Sequence, residues 1–73
     1  MIADQERAAH YLADYIRRIE LHSEANEGGL VGYYRELLKA AEEDFRAFYG
    51  EEGLTTIQVR ALEIVVRDSK DDV

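Results

Sequence analysis

The sequence contains no cysteine, no proline and no tryptophan among its 73 residues. The lack of cysteine excludes disulfides and removes the thiolates that structural zinc sites normally use. A chain of this length without such staples obtains only about 3–5 kcal/mol from its own core. We therefore expect a single domain over residues 1–73 whose most economical source of further burial is self-association.

Basic residues are scarce, since 9 lysines and arginines stand against 16 acidic residues and give a formal net charge of −7. Such a surface repels phosphate backbones and anionic lipid head groups. The segment from Leu54 to Leu62 resembles the first helix of winged and LuxR-type DNA-binding domains. Because the net charge has the wrong sign for DNA, we predict neither direct nucleic-acid binding nor membrane binding.

Long apolar runs are missing as well. The longest strongly apolar run, from Ile64 to Val66, is far shorter than the roughly 20 residues that a membrane-spanning helix needs. The first residues, Met1 to Glu6, have neither the basic region nor the apolar region of a signal peptide. We predict a cytoplasmic protein, which for a phage-encoded chain means the host cytoplasm.

The chain does have helical periodicity, and it is interrupted only by glycines at positions 28, 29, 32, 50 and 53. Residues 3–25 carry an apolar stripe with a polar start: Gln5, Ala8, Leu12, Tyr15, Ile16 and Ile19. Residues 30–49 carry a cleaner stripe: Leu30, Tyr34, Leu37, Leu38, Ala41, Phe45 and Phe48. We predict amphipathic helices over 3–25 and 30–49, a turn through Gly28–Gly32, and Gly50 as the left-handed residue that closes the second helix.

Residues 56–68 have conflicting signals. Their β-branched residues favour a strand, whereas Thr55 with Gln58 fits a helix capping box and strict alternation fails at Ala61-Leu62. We favour a helix over 56–68, with a bulged strand as the alternative, followed by a flexible tail over 69–73. The predicted fold class is all-α, a small three-helix domain.

The third helix has two apolar faces when it is projected at about 100° per residue. We expect Val59, Leu62, Val65 and Val66 to face the core. Ile57 and Ile64, flanked by Ala61, form the second face. A helix that is apolar over most of its circumference needs cover on two sides. Either the third helix lies between the other two helices, or a second copy of the chain covers the second face. We favour the second arrangement, a helical dimer.

The second helix also carries a column of candidate contact residues, in which small alanines would let another helix approach closely. Asp44 lies beside this column and could pair with Arg60 or Arg67 at an interface, and exposed tyrosines are enriched in interfaces. The full set of predicted contact residues is Tyr11, Leu21, Tyr33, Ala40, Asp44, Ala47, Ile57, Ala61 and Ile64.

Catalytic signals are weak. Glu6, His10 and Asp14 are possible metal ligands four residues apart, but a solvated helix face accounts for them. His22-Ser23-Glu24 has the residue types of a hydrolase triad, yet consecutive helical residues point in different directions. The glycines at 28–32 lack the Lys and Ser/Thr of a phosphate-binding loop. We predict no enzymatic activity, no cofactor and no metal.

The resulting hypothesis is a small, acidic, non-enzymatic protein–protein interaction module, a homodimer whose further protein partner the sequence does not identify. The alternative is an acidic phage-type inhibitor of a host defence or nucleic-acid-binding protein, resembling an anti-CRISPR protein or a DNA mimic. Its carboxylates would be offered to a basic channel by Glu42-Glu43-Asp44, Glu51-Glu52, Asp68 and Asp71-Asp72.

Overall fold

In a computed structural model, which describes residues 3–71, the chain forms two α-helices, α1 (Ala3–Glu24) and α2 (Gly28–Asp71). The predicted all-α class is confirmed, and no strand occurs within these residues. The strand alternative for residues 56–68 is therefore wrong. The count of three helices is also wrong, because the second and third predicted helices are joined into α2.

Gly50 bends α2 sharply without ending it. Its backbone has φ 79° and ψ 176°, a combination that essentially only glycine adopts because it lacks a Cβ atom. The predicted positive φ is present, but helical structure resumes at once, where a loop was expected. We call residues 28–49 the first arm of α2 and residues 51–71 the second arm.

The predicted start and end of the third helix are both wrong. The Thr55 and Thr56 hydroxyl groups donate to the carbonyl oxygens of Glu51 and Glu52, each at 3.0 Å. These bonds to the preceding turn belong to a helix interior, so Thr55 is not a capping residue. The predicted tail over 69–73 is helical as far as Asp71, and its last two residues lie outside the described range.

An asparagine makes the turn between the two helices. Asn26 has φ 63°, and its N–H donates to the Ser23 carbonyl at 3.1 Å. The Glu27 N–H donates to the His22 carbonyl at 2.8 Å, which completes a Schellman motif closing α1. The glycines at 28, 29 and 32 consequently lie inside α2, and the prediction of a turn through them is wrong.

The helical segments pack with α1 antiparallel to the first arm and parallel to the second. Tyr11 contacts Phe45 and His22 contacts Tyr34, which sets the antiparallel direction. Arg60 binds Glu6 and Arg17 binds Asp68, which sets the parallel one. The assembly is flat, with Cα extents of 34 × 28 × 14 Å.

The core of this flat molecule is thin. Half of its ten buried hydrophobic residues are alanines, and only two large side chains, Leu12 and Ile57, are fully buried. The ten are Ala8, Ala9, Leu12, Ala13, Ala41, Leu54, Ile57, Ala61, Ile64 and Val65. Alanines let the helices approach closely, but each buries little apolar area.

The second arm has the two predicted apolar faces, but their roles were assigned wrongly. Ile57 and Ala61 are 0% exposed and Ile64 is 6% exposed, so the predicted contact face lies in the core. Leu54, which follows the bend at Gly50 and is 2% exposed, is buried on the same side of the arm as these three residues. The face predicted to be buried is mostly open to solvent.

No segment of either helix, within residues 3–71, combines the length and apolarity needed to cross a membrane.

At Gly53 the start of the second arm lies directly against the end of the first arm. A Cβ atom added there would lie 2.5 Å from the Tyr49 Cβ, whereas one added at Gly32 meets nothing within 4 Å. We expect Gly53→Ala to lower the free energy of unfolding by more than about 1 kcal/mol despite the better helix propensity of alanine.

The matched control is Gly32→Ala, which should raise the free energy of unfolding by about 0.5–1 kcal/mol. Denaturant and thermal unfolding followed by circular dichroism would measure both variants. Equal shifts of the same sign in the two variants would contradict the proposed close approach at Gly53.

Candidate interaction surfaces

The possible metal ligands on α1 are directed to different partners. The Glu6 carboxylate accepts a hydrogen bond from Arg60 Nη2 at 2.9 Å and lies 3.3 Å from His10 Nε2. Asp14 accepts instead from Arg18 Nε at 2.9 Å. Across the part of the chain that the structure describes, no three His, Cys, Asp or Glu side chains are grouped to hold a metal ion.

His22 is mainly a packing residue at the end of α1. Its ring stacks on Tyr34 with centroids 5.4 Å apart and an interplanar angle of 2°. Its Nδ1 atom lies 3.5 Å from a Glu27 carboxylate oxygen without hydrogen-bond geometry, and it is buried. The stacking places the imidazole ring against the face of Tyr34.

Arg60 ties the second arm to the start of α1. Its Nε atom donates to both Glu6 carboxylate oxygens at 3.1 Å, and its Nη1 atom lies 3.3 Å from Glu63. Hydrogen bonding to Arg60 lowers the pKa of Glu6, and hydrogen bonding to Glu6 and then Glu63 raises the pKa of Arg60. The pair holds together segments that are 54 residues apart in the sequence.

All seven tyrosines and phenylalanines form one continuous series of ring contacts on α1 and the first arm. In order, the rings are Phe48, Tyr49, Phe45, Tyr11, Tyr15, Tyr34 and Tyr33, with neighbouring centroids 4.8–6.2 Å apart. The Tyr11 and Tyr15 hydroxyl groups share a hydrogen bond of 3.0 Å, which raises the pKa of Tyr15. Four of these six contacts are edge-to-face, a geometry that stabilises packing by about 0.5–1.5 kcal/mol per pair beyond area burial.

A groove of about 620 Å³ runs between α1 and the first arm beside these rings. Small residues, Ala8, Ala40 and Ala41, form part of its lining together with five of the rings. Asp4, Arg7 and Asp44 also line it. We call it the aromatic groove. It brings together three predicted contact residues, namely Tyr11, Ala40 and Asp44.

Phe48 borders this groove and is 80% exposed, the most exposed large hydrophobic residue of the described chain. It was predicted to belong to the core stripe. The stripe on the first arm is broader than the surface that α1 covers, so its last member before the bend at Gly50 stays open. Helical periodicity identifies which residues share a face, but it does not show how far a partner helix covers that face.

A second open surface follows the second arm. Val59, Leu62 and Val66 are 52%, 56% and 54% exposed and lie three and four residues apart, so they form one line along the helix. We call these residues the aliphatic stripe. These residues were predicted to lie in the core. The prediction failed because both faces of this arm are equally apolar and only tertiary packing distinguishes them.

The remaining predicted contact residues are divided by the structure. Tyr33 and Leu21 are exposed at 57% and 62%, and Ala47 is exposed as well, although none of these lines the aromatic groove. Ile57, Ala61 and Ile64 do not lie on an open surface as predicted. They are buried within the chain, in one cluster with the alanines of α1.

Comparison with known proteins gives no relative from which a function could be transferred. No protein-family model matches the chain, and neither a curated protein nor a solved structure shows significant similarity to it. The two open surfaces are therefore the basis for a functional proposal.

The ion pair between Glu6 and Arg60 should make the melting temperature depend on pH in the acidic range. Because the pKa of Glu6 is lowered in the folded state, its contribution is fully present above the ordinary glutamate pKa and is lost as the pH falls through the lowered value. We expect Glu6→Gln to remove this part of the acid dependence of the melting temperature.

The control is Glu20→Gln, an exposed α1 position with no ion pair among those the structure describes. Melting curves recorded from neutral to strongly acidic pH would compare both variants with the wild type. The prediction fails if Glu6→Gln and Glu20→Gln change the pH profile equally.

Proposed function

We propose that this protein is a small, acidic, non-enzymatic protein–protein interaction module that assembles as a homodimer. The observation that carries the proposal is the aliphatic stripe, three side chains more than half exposed on an arm whose other side is in the core. A helix that is apolar on two sides needs cover on both. Within the described chain, α1 and the first arm supply cover on only one side.

The thin core supports self-association. A chain whose Cα atoms extend only 14 Å along the shortest axis, with alanines as half of its buried hydrophobic residues, obtains little burial of its own. Apolar burial contributes about 25 cal/mol per Å², and a standard interface takes about 800 Å² from each partner. The accessible surface of one copy is 5197 Å², so such an interface would use a modest share of it.

The contacts of one histidine and two threonines support a non-enzymatic role. His22 is stacked on a tyrosine, and the hydroxyl groups of Thr55 and Thr56 bond to their own helix. Nucleophilic catalysis needs a nucleophile within hydrogen-bond reach of a base. Among the hydrogen bonds described for residues 3–71, none joins the His22 ring or the Thr55 and Thr56 hydroxyl groups to such a partner.

The aromatic groove would remain available in a dimer formed through the aliphatic stripe, because its lining comes from α1 and the first arm. Grooves between helices commonly accept the apolar face of another helix, and tyrosines are frequent in the energetically dominant parts of interfaces. The groove thus supports a module that binds a second protein in addition to its own copy.

The alternative of an acidic mimic receives less support from the charge arrangement. Five carboxylates of the described residues pair with arginines of the same chain: Glu6 and Glu63 with Arg60, Asp14 with Arg18, Glu51 with Arg46, and Asp68 with Arg17. These arginines interrupt the negative surface. A mimic of nucleic acid gains most from a surface of one sign, so we favour the interaction module.

Sedimentation equilibrium over the micromolar range tests the proposal. We expect the wild type to be a dimer and Leu62→Glu to be a monomer with unchanged helix content. An unpaired charge buried in an interface costs about 3–5 kcal/mol, which corresponds to a dissociation constant raised at least about a hundredfold.

The matched control is Leu21→Glu, the same substitution at an exposed leucine of α1. It should leave the dimer intact. A wild type that is monomeric at high micromolar concentration would refute the homodimer. Dissociation by Leu21→Glu and not by Leu62→Glu would place the interface on α1.

A further inference from the structure

We infer that two copies pair their second arms antiparallel across a two-fold axis, with Glu63 of each copy beside Arg67 of the other. This inference rests on the proposed homodimer, because it specifies the direction and register of the same contact. It depends on which charged groups border the aliphatic stripe and which of them are already engaged within the chain.

The two borders of the aliphatic stripe differ in the charged side chains that they carry. At about 100° per residue, Glu63 and Arg67 lie on one border, one helical turn apart. Glu51 and Gln58 lie on the other, and both are engaged within the chain, Glu51 with Arg46 at 2.8 Å and Gln58 by donating to Glu42. Among the side chains of residues 4–68, Arg67 takes part in no ion pair. Glu63, whose side chain is 59% exposed, is paired with Arg60, and Glu51, whose side chain is 77% exposed, is paired with Arg46. Of these four groups, only Glu63 and Arg67 place charges of both signs on one border, because the other border has an acid and an uncharged amide.

Symmetry then decides the direction of pairing. In an antiparallel pair the two-fold axis is perpendicular to both helices, and it brings like borders of the two copies to the same side of the interface. In a parallel pair, opposite borders meet. A parallel pair would therefore bring Glu63 towards Gln58 of the second copy, which carries no charge, while Glu51 lies about 18 Å from Glu63 along the helix. The antiparallel pair forms two equivalent ion pairs, in which Glu63 of each copy binds Arg67 of the other. Charged residues beside the apolar seam of coiled coils pair in a similar way.

The same charges select the register. One antiparallel register would centre the axis near residues 62–63 and place Val59 opposite Val66 of the second copy. That register also brings Glu63 next to its own equivalent, and like charges repel. Moving the axis by about two residues places Glu63 beside Arg67 of the second copy and Leu62 beside Val66 of the second copy. In this second register the ion pairs form and Leu62 and Val66 remain in apolar contact, while Val59 lies at the edge of the contact.

A charge-reversal cycle tests the pairing by sedimentation equilibrium. Glu63→Arg and Arg67→Glu should each raise the dissociation constant roughly tenfold, because each creates two symmetric like-charge contacts. The double variant restores opposite charges and should return the constant to near the wild-type value. Glu43→Arg and Arg35→Glu, exposed positions of the first arm, carry the same changes of net charge and should have little effect. Circular dichroism checks that each variant remains helical, since Glu63→Arg also removes a contact to Arg60.

A spin label tests the direction independently, and the absence of native cysteine makes single labelling simple. A label at Thr55→Cys lies about nine residues from the proposed axis. At 1.5 Å per residue, two such labels would be separated by about 28 Å along the helices. A parallel pair would bring them to within roughly one helix spacing of 8–10 Å.

The outcomes separate this inference from the homodimer. Restoration in the double variant together with the long label distance supports the antiparallel pair. Suppose instead that the wild type is dimeric and that Leu62→Glu dissociates it. If the double variant is not restored, the contact between Glu63 and Arg67 is wrong, and if the labels are close, the antiparallel direction is wrong. In either case the homodimer stands. A monomeric wild type overturns both.

Discussion

The arrangement of this protein depends on one backbone constraint, the bend at Gly50. With φ 79° and ψ 176° this residue lets two helical arms follow each other without a loop. Because there is no loop, the rotation of the second arm about its own axis is fixed by the packing at the bend. Gly53 lies against Tyr49, and Leu54 enters the core. From that rotation it follows that Ile57, Ala61 and Ile64 face α1 and that the aliphatic stripe faces away.

The features predictable from sequence are those that depend on local periodicity. The helices of α1 and the first arm follow from residues recurring at steps of three and four, and their bounds are within two residues of those predicted. The two apolar faces of the second arm were also predictable. Which face is buried was not, because Val59, Leu62 and Val66 match Ile57, Ala61 and Ile64 in apolarity. That choice depends on contacts between distant parts of the chain.

Glycine was a misleading guide to the turns for a physical reason. The glycines at 28, 29 and 32 can adopt turn conformations, but they can also continue a helix, at a cost of about 1 kcal/mol each relative to alanine. Asn26 takes the left-handed position instead and supplies the Schellman motif. The aromatic groove was equally inaccessible to sequence reasoning. Its lining combines Tyr11 with Ala40 and Asp44, residues that only the antiparallel packing of α1 on the first arm brings together.

The aromatic residues have an optical consequence. There is no tryptophan, and every tyrosine lies on α1 or the first arm, so residues 51–71 contain no fluorophore. Intrinsic emission and near-ultraviolet circular dichroism therefore report on one side of the molecule only. A ligand that enters the aromatic groove would alter both signals. Contact through the second arm would leave them nearly unchanged, so ordinary tyrosine spectroscopy can tell the two surfaces apart without any attached dye.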